Sequence, residues 1–308
     1  MKILGLDSLV FAADDLDACM KCLDDYGLTL VERGATGATY EALDGTGVLL
    51  RKPSDPGLPK AVASDPNVRE MRYGVADKAT LEAIGAELGK DRAVQLRDGV
   101  LHSTDDDGYP IGFQLSVRRK FDVSYSPVNV PGQAPGRRIN QTAVRVGDDA
   151  QLKACSLSHV VIFTRDKVKS ERFYTQRLGF RLSDAFTDLG PFLRPAGTQE
   201  HHTLFMIEAP LVGLQHFTFH FAGPSEYLKA GWQFANKGYK SYWGPGRHVL
   251  GSNYFWYFNS PFGGLIEFDA DMDVHDDDWK PRFVPATEDT SQVFLLRPAE
   301  KWVPRGPG

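Results

Sequence analysis

The chain has 308 residues, about twice the usual length of one domain, so two domains are expected. It is 42% hydrophobic and 24% charged, which supplies real cores and excludes disorder, and no apolar run approaches the roughly 20 residues of a membrane helix. A formal net charge of −5 offers no basic field for phosphate backbones and argues against nucleic-acid binding. The opening MKILGLDSLVFAADDLD lacks a signal peptide's cleavage region, so a soluble, cytoplasmic protein without a membrane partner is expected.

The elements follow a repeating order. LDSLVFAA reads as a strand, Asp14 and Asp15 offer an N-cap, and Leu16, Cys19, Leu23 and Tyr26 recur at helical spacing before Gly27. Cys19 and Cys22 form a CxxC on that helix; without a second pair they read as buried thiols. LTLVERG, ATYEAL and GVLLRKP follow as short strands. After the break SDPGLPKAVASDPN the order restarts with the strand MRYGVAD and a helix from Asp77 to Gly89 carrying Leu81, Ile84 and Leu88. GVLHSTDDDGYPIGFQLSV then reads as a hairpin turning at Asp107-Gly108.

Residues 124–157 hold several Pro and Gly without a period and are the expected linker between a domain at 1–123 and one at 158–273. In the second half LSHVVIFTRD leads into a helix with Val168, Phe173 and Tyr174 inward, then strands FRLSDAF and HTLFMIEA. LQHFTFHFAG leads into a helix capped by Ser225 with Leu228, Trp232 and Ala235 on one face, then strands NYFWYFN and GGLIEFD. Four strand–helix–strands units, two per domain, predict an α+β fold whose paired units curl around a shared cavity. Residues 274–308 fit no unit and read as a tail wrapping the second domain. Within it, HDDDW lacks the ligand spacing of a Ca²⁺ loop and reads as a solvated charge run.

Six of the eight histidines lie between 159 and 248. His159 and His216 sit early in the first strands of their units, and Glu267 lies in a final strand between Ile266 and Phe268. Strand alternation turns Glu267 away from those neighbours and into the curled sheet, where a lone carboxylate is costly unless paired or bound to a metal. Two histidines and one carboxylate form the open-sided set of non-haem Fe(II) oxygenases. The plainer alternative is two satisfied core histidines and a glutamate paired with an arginine.

From LSHVV to GGLIEFD the sequence resembles the catalytic domain of type I extradiol ring-cleaving dioxygenases, of the vicinal oxygen chelate superfamily. The likeness is most specific in GRHVLGSNYFWYFNSPFGGLIEFD. It implies four βαβββ modules paired into two domains, Fe(II) (or Mn(II)) at His159, His216 and Glu267, O₂ as co-substrate, and a catechol opened beside its two hydroxyls in aromatic catabolism. By position it implies an acid–base role for His202, with His201 adjoining it, and contacts from His248 and Tyr257 to the substrate oxygens. A homo-oligomer is also implied. Ser252 stands where the family often has a second histidine. In the first half, Ser8 and Gly112 occupy the places of His159 and Glu267, so a single metal per chain is expected. The rival readings are a glyoxalase-like or hydroquinone-cleaving relative using the same metal box, and a metal-free binding protein of the bleomycin-resistance type. Phe192, Phe205 and Trp256 are expected to make the pocket apolar.

Overall fold

The computed structural model describes residues 1–63, 68–124, 127–132, 138–143 and 150–296; the rest of the expected linker and tail lies outside them. The first module runs β1 (Ile3–Ala12), α1 (Leu16–Tyr26), β2 (Thr29–Arg33), β3 (Gly37–Glu41) and β4 (Gly47–Arg51). The second runs β5 (Val68–Val75), α2 (Lys78–Leu88), β6 (Gln95–Arg97), β7 (Val100–Thr104) and β8 (Pro110–Leu115). The third has β9 (Ser156–Thr164), α3 (Lys167–Arg172) with a π-helical turn at Phe173–Arg177, β10 (Phe180–Phe186), β11 (Gly190–Pro195) and β12 (Leu204–Glu208). The fourth has β13 (Gly213–His220), α4 (Pro224–Asn236), β14 (Ser241–His248), β15 (Tyr254–Asn259) and β16 (Leu265–Ala270). The α+β class is that expected from the sequence pattern, and the fourfold βαβββ order is the one the resemblance implies.

Modules one and two share a sheet ordered β2-β3-β4-β1-β5-β8-β7-β6, and modules three and four repeat that order around an antiparallel β9–β13 seam. The C-terminal segment adds β17 (Arg282–Val284), α5 (Glu288–Ser291) and β18 (Gln292–Leu295). Its two strands extend opposite edges of the second sheet, β17 beside β10 and β18 beside β14. Asp277 of the acidic run is not merely solvated, because it pairs at 2.9 Å with the buried Arg194.

Local chemistry explains most boundaries. The Asp15 side chain accepts from Ala18 N–H at 2.9 Å and Asp77 from Thr80 N–H at 2.8 Å, each closing a helix start. Gly27 ends α1 at φ +110°, with Leu152 O where a Cβ would project. Two expected helix faces need correction. In α4 the N-cap is Gly223, not Ser225, with Pro224 in the first turn, and the buried stripe is Tyr227, Ala230, Gly231 and Phe234. Trp232 is 61% exposed. Small residues form the contact there because the Trp256 ring lies directly on Gly231. Val168 is likewise 52% exposed: the π turn shifts the helical phase, so that Phe173 and Tyr174 enter the core and Val168 does not.

Strands β6, β11 and β14 were not expected from sequence. β6 is exposed throughout, and β11 and β14 contain prolines that argue against central strands. In β14, Pro245 falls in the register break between Trp243 and Gly246, where no ladder bond is lost.

A single buried apolar cluster joins both sheets. Tyr26 of α1 donates its hydroxyl to the backbone carbonyl of Glu267 and packs on Phe268 at a centroid distance of 4.3 Å. Tyr109 donates to the Phe163 carbonyl at 2.6 Å, and Tyr174 donates to Asp105 Oδ2 at 3.0 Å. Asp105 is fully buried, and burial, only partly offset by Tyr174 and the Tyr109 N–H, pushes its carboxyl up from 3.8 to about 7. The folded state therefore binds this proton more tightly than the unfolded chain. Its contribution to stability is complete below pH 3.8 and is lost as pH rises through about 7. Asp105→Asn should therefore raise the denaturation midpoint more at pH 8 than at pH 5. Equal effects at both pH values in chemical denaturation would show that Asp105 does not carry this linkage.

Candidate metal centre

The strand registers bring the three candidate ligands to one face. His159 in β9 sits opposite Thr218 in β13, Thr218 sits opposite Glu267 in β16, and His216 precedes Thr218 by two residues on the same face. His159 Nε2 lies 3.0 Å from Glu267 Oε2, His216 Nε2 lies 3.3 Å from the same oxygen, and the two Nε2 atoms are 3.2 Å apart. All three side chains are buried, and one ligand atom from each falls within 4.8 Å of the others. Among the described residues this is the one such group of three.

The set fits a divalent metal on structural grounds. Glu267 Oε1 is buried without a hydrogen-bond partner, and no Lys or Arg pairs with this carboxylate among the described residues. The Nδ1 atoms are already engaged: His159 Nδ1 meets Ser158 Oγ at 2.8 Å, and His216 Nδ1 meets the Gln215 amide oxygen. That leaves both Nε2 atoms for a metal, the arrangement that fixes ligand rings. Ser158 Oγ also donates to Asp269 Oδ2 at 3.2 Å. Asp269 pairs with His220 at 2.7 Å; burial opposes charge on His220, but Asp269 and Glu200 hold it protonated well above the usual range.

The titration directions suit ligation. Burial lowers His216 to about 4, so its imidazole is neutral near pH 7. Burial alone would push Glu267 up, but the neighbouring His159 and His216 outweigh it and hold the carboxyl well below its usual range.

His202 lies just before β12, buried, its ring centroid 4.3 Å from that of His159. Burial holds it well below 6.5, reinforced by His159 and His201. Tyr257 in β15 sits opposite Glu267, and its hydroxyl lies 3.0 Å from His248 Nε2. His248, the last residue of β14, directs Nδ1 to the Ser291 carbonyl at 3.1 Å. Nδ1 is therefore the donor, and Nε2 is free to accept the Tyr257 proton. Burial, then the Glu267 charge, raises Tyr257 well above 10 and keeps it an O–H donor.

These groups share a cavity of about 200 Å³. His159, His202, His216, His248 and Tyr257 are among its polar lining residues, and Phe186, Phe192, Phe205, Leu250 and Trp243 are among its apolar ones. Phe192 and Phe205 stack at 3.9 Å. Trp256 is not a cavity residue, as alternation along β15 explains: Tyr257 faces the ligands while Trp256 turns to α4. Sequence reasoning missed Trp243, Ser158 and Thr218. Only Thr218, two residues after His216 on the same strand face, left a readable signal.

The first sheet answers the same register differently. Ser8 sits opposite Arg72 and Arg72 opposite Gly112, so these positions match His159, Thr218 and Glu267. Glu70 falls where His216 does. It bonds Arg72 Nε at 2.6 Å and His102 Nδ1 at 2.5 Å. A Cβ on Gly112 would stand 3.0 Å from Arg72 Cγ. An ion pair occupies the place of a metal.

The fold is that of the vicinal oxygen chelate structures, and residues 156–268 match the family model described as the Glyoxalase/Bleomycin resistance protein/Dioxygenase superfamily. The chain is 34% identical over 193 residues to metapyrocatechase 2 of Cupriavidus necator, covering 63% of this chain and 59% of that protein's length. It is 26% identical over 283 residues to 2,2',3-trihydroxybiphenyl dioxygenase of Sphingomonas paucimobilis, covering 87% of this chain and 88% of the relative. Its fold matches the Mn(II)-bound glyoxalase of Novosphingobium aromaticivorans with a TM-score of 0.75 and 20% identity, over 97% and 95% of the two chains.

Glu267→Gln should strip the metal, because a neutral amide is a weaker ligand and leaves the ion's charge without its offset. Metal analysis of reconstituted, desalted protein should approach one divalent ion per chain and near none in Glu267→Gln or His216→Ala. A second tight ion surviving His216→Ala would show that the first sheet binds metal after all.

Proposed function

We propose that this chain is a type I extradiol dioxygenase that holds Fe(II) at His159, His216 and Glu267 and opens a catechol beside its hydroxyls with O₂. The observation that carries this reading is the lining of the cavity. His159 and His216, which share Glu267 as a neighbour, line it together with His202, His248 and Tyr257, and most of the other lining residues are aromatic or aliphatic. A flat ring with two adjacent oxygens on one edge matches that mixture. Its volume of about 200 Å³ exceeds the roughly 150 Å³ of an apolar cavity known to take benzene. The names of the two curated relatives, a metapyrocatechase and a trihydroxybiphenyl dioxygenase, support the substrate class.

Iron held by this trio would supply open positions for the diol and O₂ together and Lewis acidity toward the diol oxygens. The side chains do the rest. The Phe192–Phe205 wall excludes water and orients the ring. Tyr257 stays protonated and turns its one O–H to a diol oxygen, which frees His248 Nε2 to accept from the substrate. His202, neutral and buried, takes the proton released when the diol ionises and returns it as the ring opens. Both atoms of O₂ enter the product, and the C–C bond beside the diol breaks.

Anaerobic Fe(II) reconstitution followed by a screen of catechols for yellow ring-fission products tests this reading. His202→Phe should retain metal while ring opening slows by ~10²–10⁴-fold, the usual contribution of an acid–base residue. A metal-loaded wild-type chain that opens no catechol in the screen would refute the activity. An unimpaired His202→Phe would remove the role given to that residue.

A further inference from the structure

Behind His202 a line of hydrogen bonds runs out to the C-terminal segment. His202 Nδ1 lies 2.9 Å from His201 Nδ1, and His201 Nε2 lies 2.9 Å from Asp184 Oδ2. His201 and Asp184 are both fully buried. Asp184 also accepts from the Arg282 backbone N–H at 2.7 Å and from Arg282 Nε at 3.0 Å. The same segment fixes the backbone on both sides: His201 N–H donates to the Asp273 carbonyl at 2.9 Å, and the Trp279 indole N–H donates to the Ser183 carbonyl at 2.8 Å.

Counting donors and acceptors along this line places every proton. Burial pushes Asp184 up, but His201 and Arg282 outweigh it and lower the carboxyl to about 2. An ionised carboxylate only accepts, so His201 Nε2 carries a hydrogen. Burial keeps His201 below its usual range, hence neutral near pH 7, and its Nδ1 is then a bare lone pair. A lone pair cannot face another lone pair at 2.9 Å, so His202 Nδ1 must be the donor. His202 Nε2, which has no hydrogen-bond partner among the described residues, is left as an acceptor at the cavity end of the ring.

We infer that His201 and Asp184, clamped by Arg282 of the C-terminal segment, are positioning residues that lock His202 in its Nδ1–H tautomer and present Nε2 to the substrate as a base. The inference rests on the acid–base reading of His202 given above. His201 and Asp184 are absent from the cavity wall and act only through the neighbouring ring. A histidine without this line could populate either tautomer, and the Nε2–H form could not accept a proton from a diol. The line also gives the tail a task, since Arg282 and Asp273 reach it from outside the four modules.

The test has two arms. In ¹⁵N spectra of histidine-labelled, Zn(II)-loaded protein, which is diamagnetic, wild-type His202 should carry its hydrogen on Nδ1 and none on Nε2. That preference should vanish in His201→Leu. In the iron-loaded enzyme, His201→Leu should lower kcat by about 10- to 100-fold, the usual effect of losing an outer partner, with KM for the catechol and metal content unchanged. His201→Asn, whose amide oxygen can stand in for Nδ1 as acceptor, should recover most of that loss. An Nε2–H tautomer in the wild-type spectrum would overturn the inference, as would equal impairment of the Leu and Asn variants or an unimpaired Leu variant. The wild-type spectrum needs no variant to fold. If the chain opens no catechol, the ring-cleavage reading fails while that spectrum still decides the tautomer.

Discussion

The structure turns on one buried negative charge. Glu267 is completely enclosed, and its neighbours are imidazoles rather than a guanidinium or an ammonium. An ionised carboxylate in such a place is expensive without a cation beside it. The site is therefore electrostatically incomplete, and a divalent cation would complete it. The surrounding partners serve this condition: Thr218 donates to Oε2, Ser158 and Gln215 engage the far nitrogens of the two histidines, and Tyr26 holds the Glu267 backbone from the other half of the chain.

That last contact explains why two halves are retained when one carries the site. The helices of the odd-numbered modules cross over. Tyr26 of the first reaches the backbone of β13 and β16, and Tyr174 of the third reaches Asp105 in the first half. Both rings are fully buried in the shared core. The strands that carry the ligands are thus held by residues of the half that has none, so the ligand geometry depends on packing across the whole chain.

The repeat was legible because it rests on strong local signals, whereas the grouping of His159, His216 and Glu267 followed mainly from the family resemblance. Helix caps such as Asp15 and Asp77, the glycine stop at Gly27, and polar residues placed on apolar strands survive without tertiary knowledge. The misread features depend on neighbours. Trp232 looked like a core anchor, but Gly231 makes the contact because a ring from β15 needs the space. Trp256 and Trp243 exchange roles through the alternation of β15 and the bulged register of β14, which no single segment reveals. The HH pair was visible in the sequence, but not which ring meets the cavity; that follows from Asp184 and Arg282, residues 17 and 81 positions away from His201.

The two sheets, folded on the same register, treat a buried carboxylate in two different ways. In the first, Glu70 occupies the position of His216 and is matched at once by Arg72, a cation that never loses its charge. Arg72 pairs with it directly, and Gly112 makes room for the Arg72 stem. In the second, Glu267 is surrounded by three histidines, and one of its oxygens has no hydrogen-bond partner among the described residues. Arginine compensates a carboxylate permanently; histidine compensates it conditionally and gives way to a metal. The difference between the halves therefore lies less in whether a buried carboxylate is present than in whether its partner can be displaced.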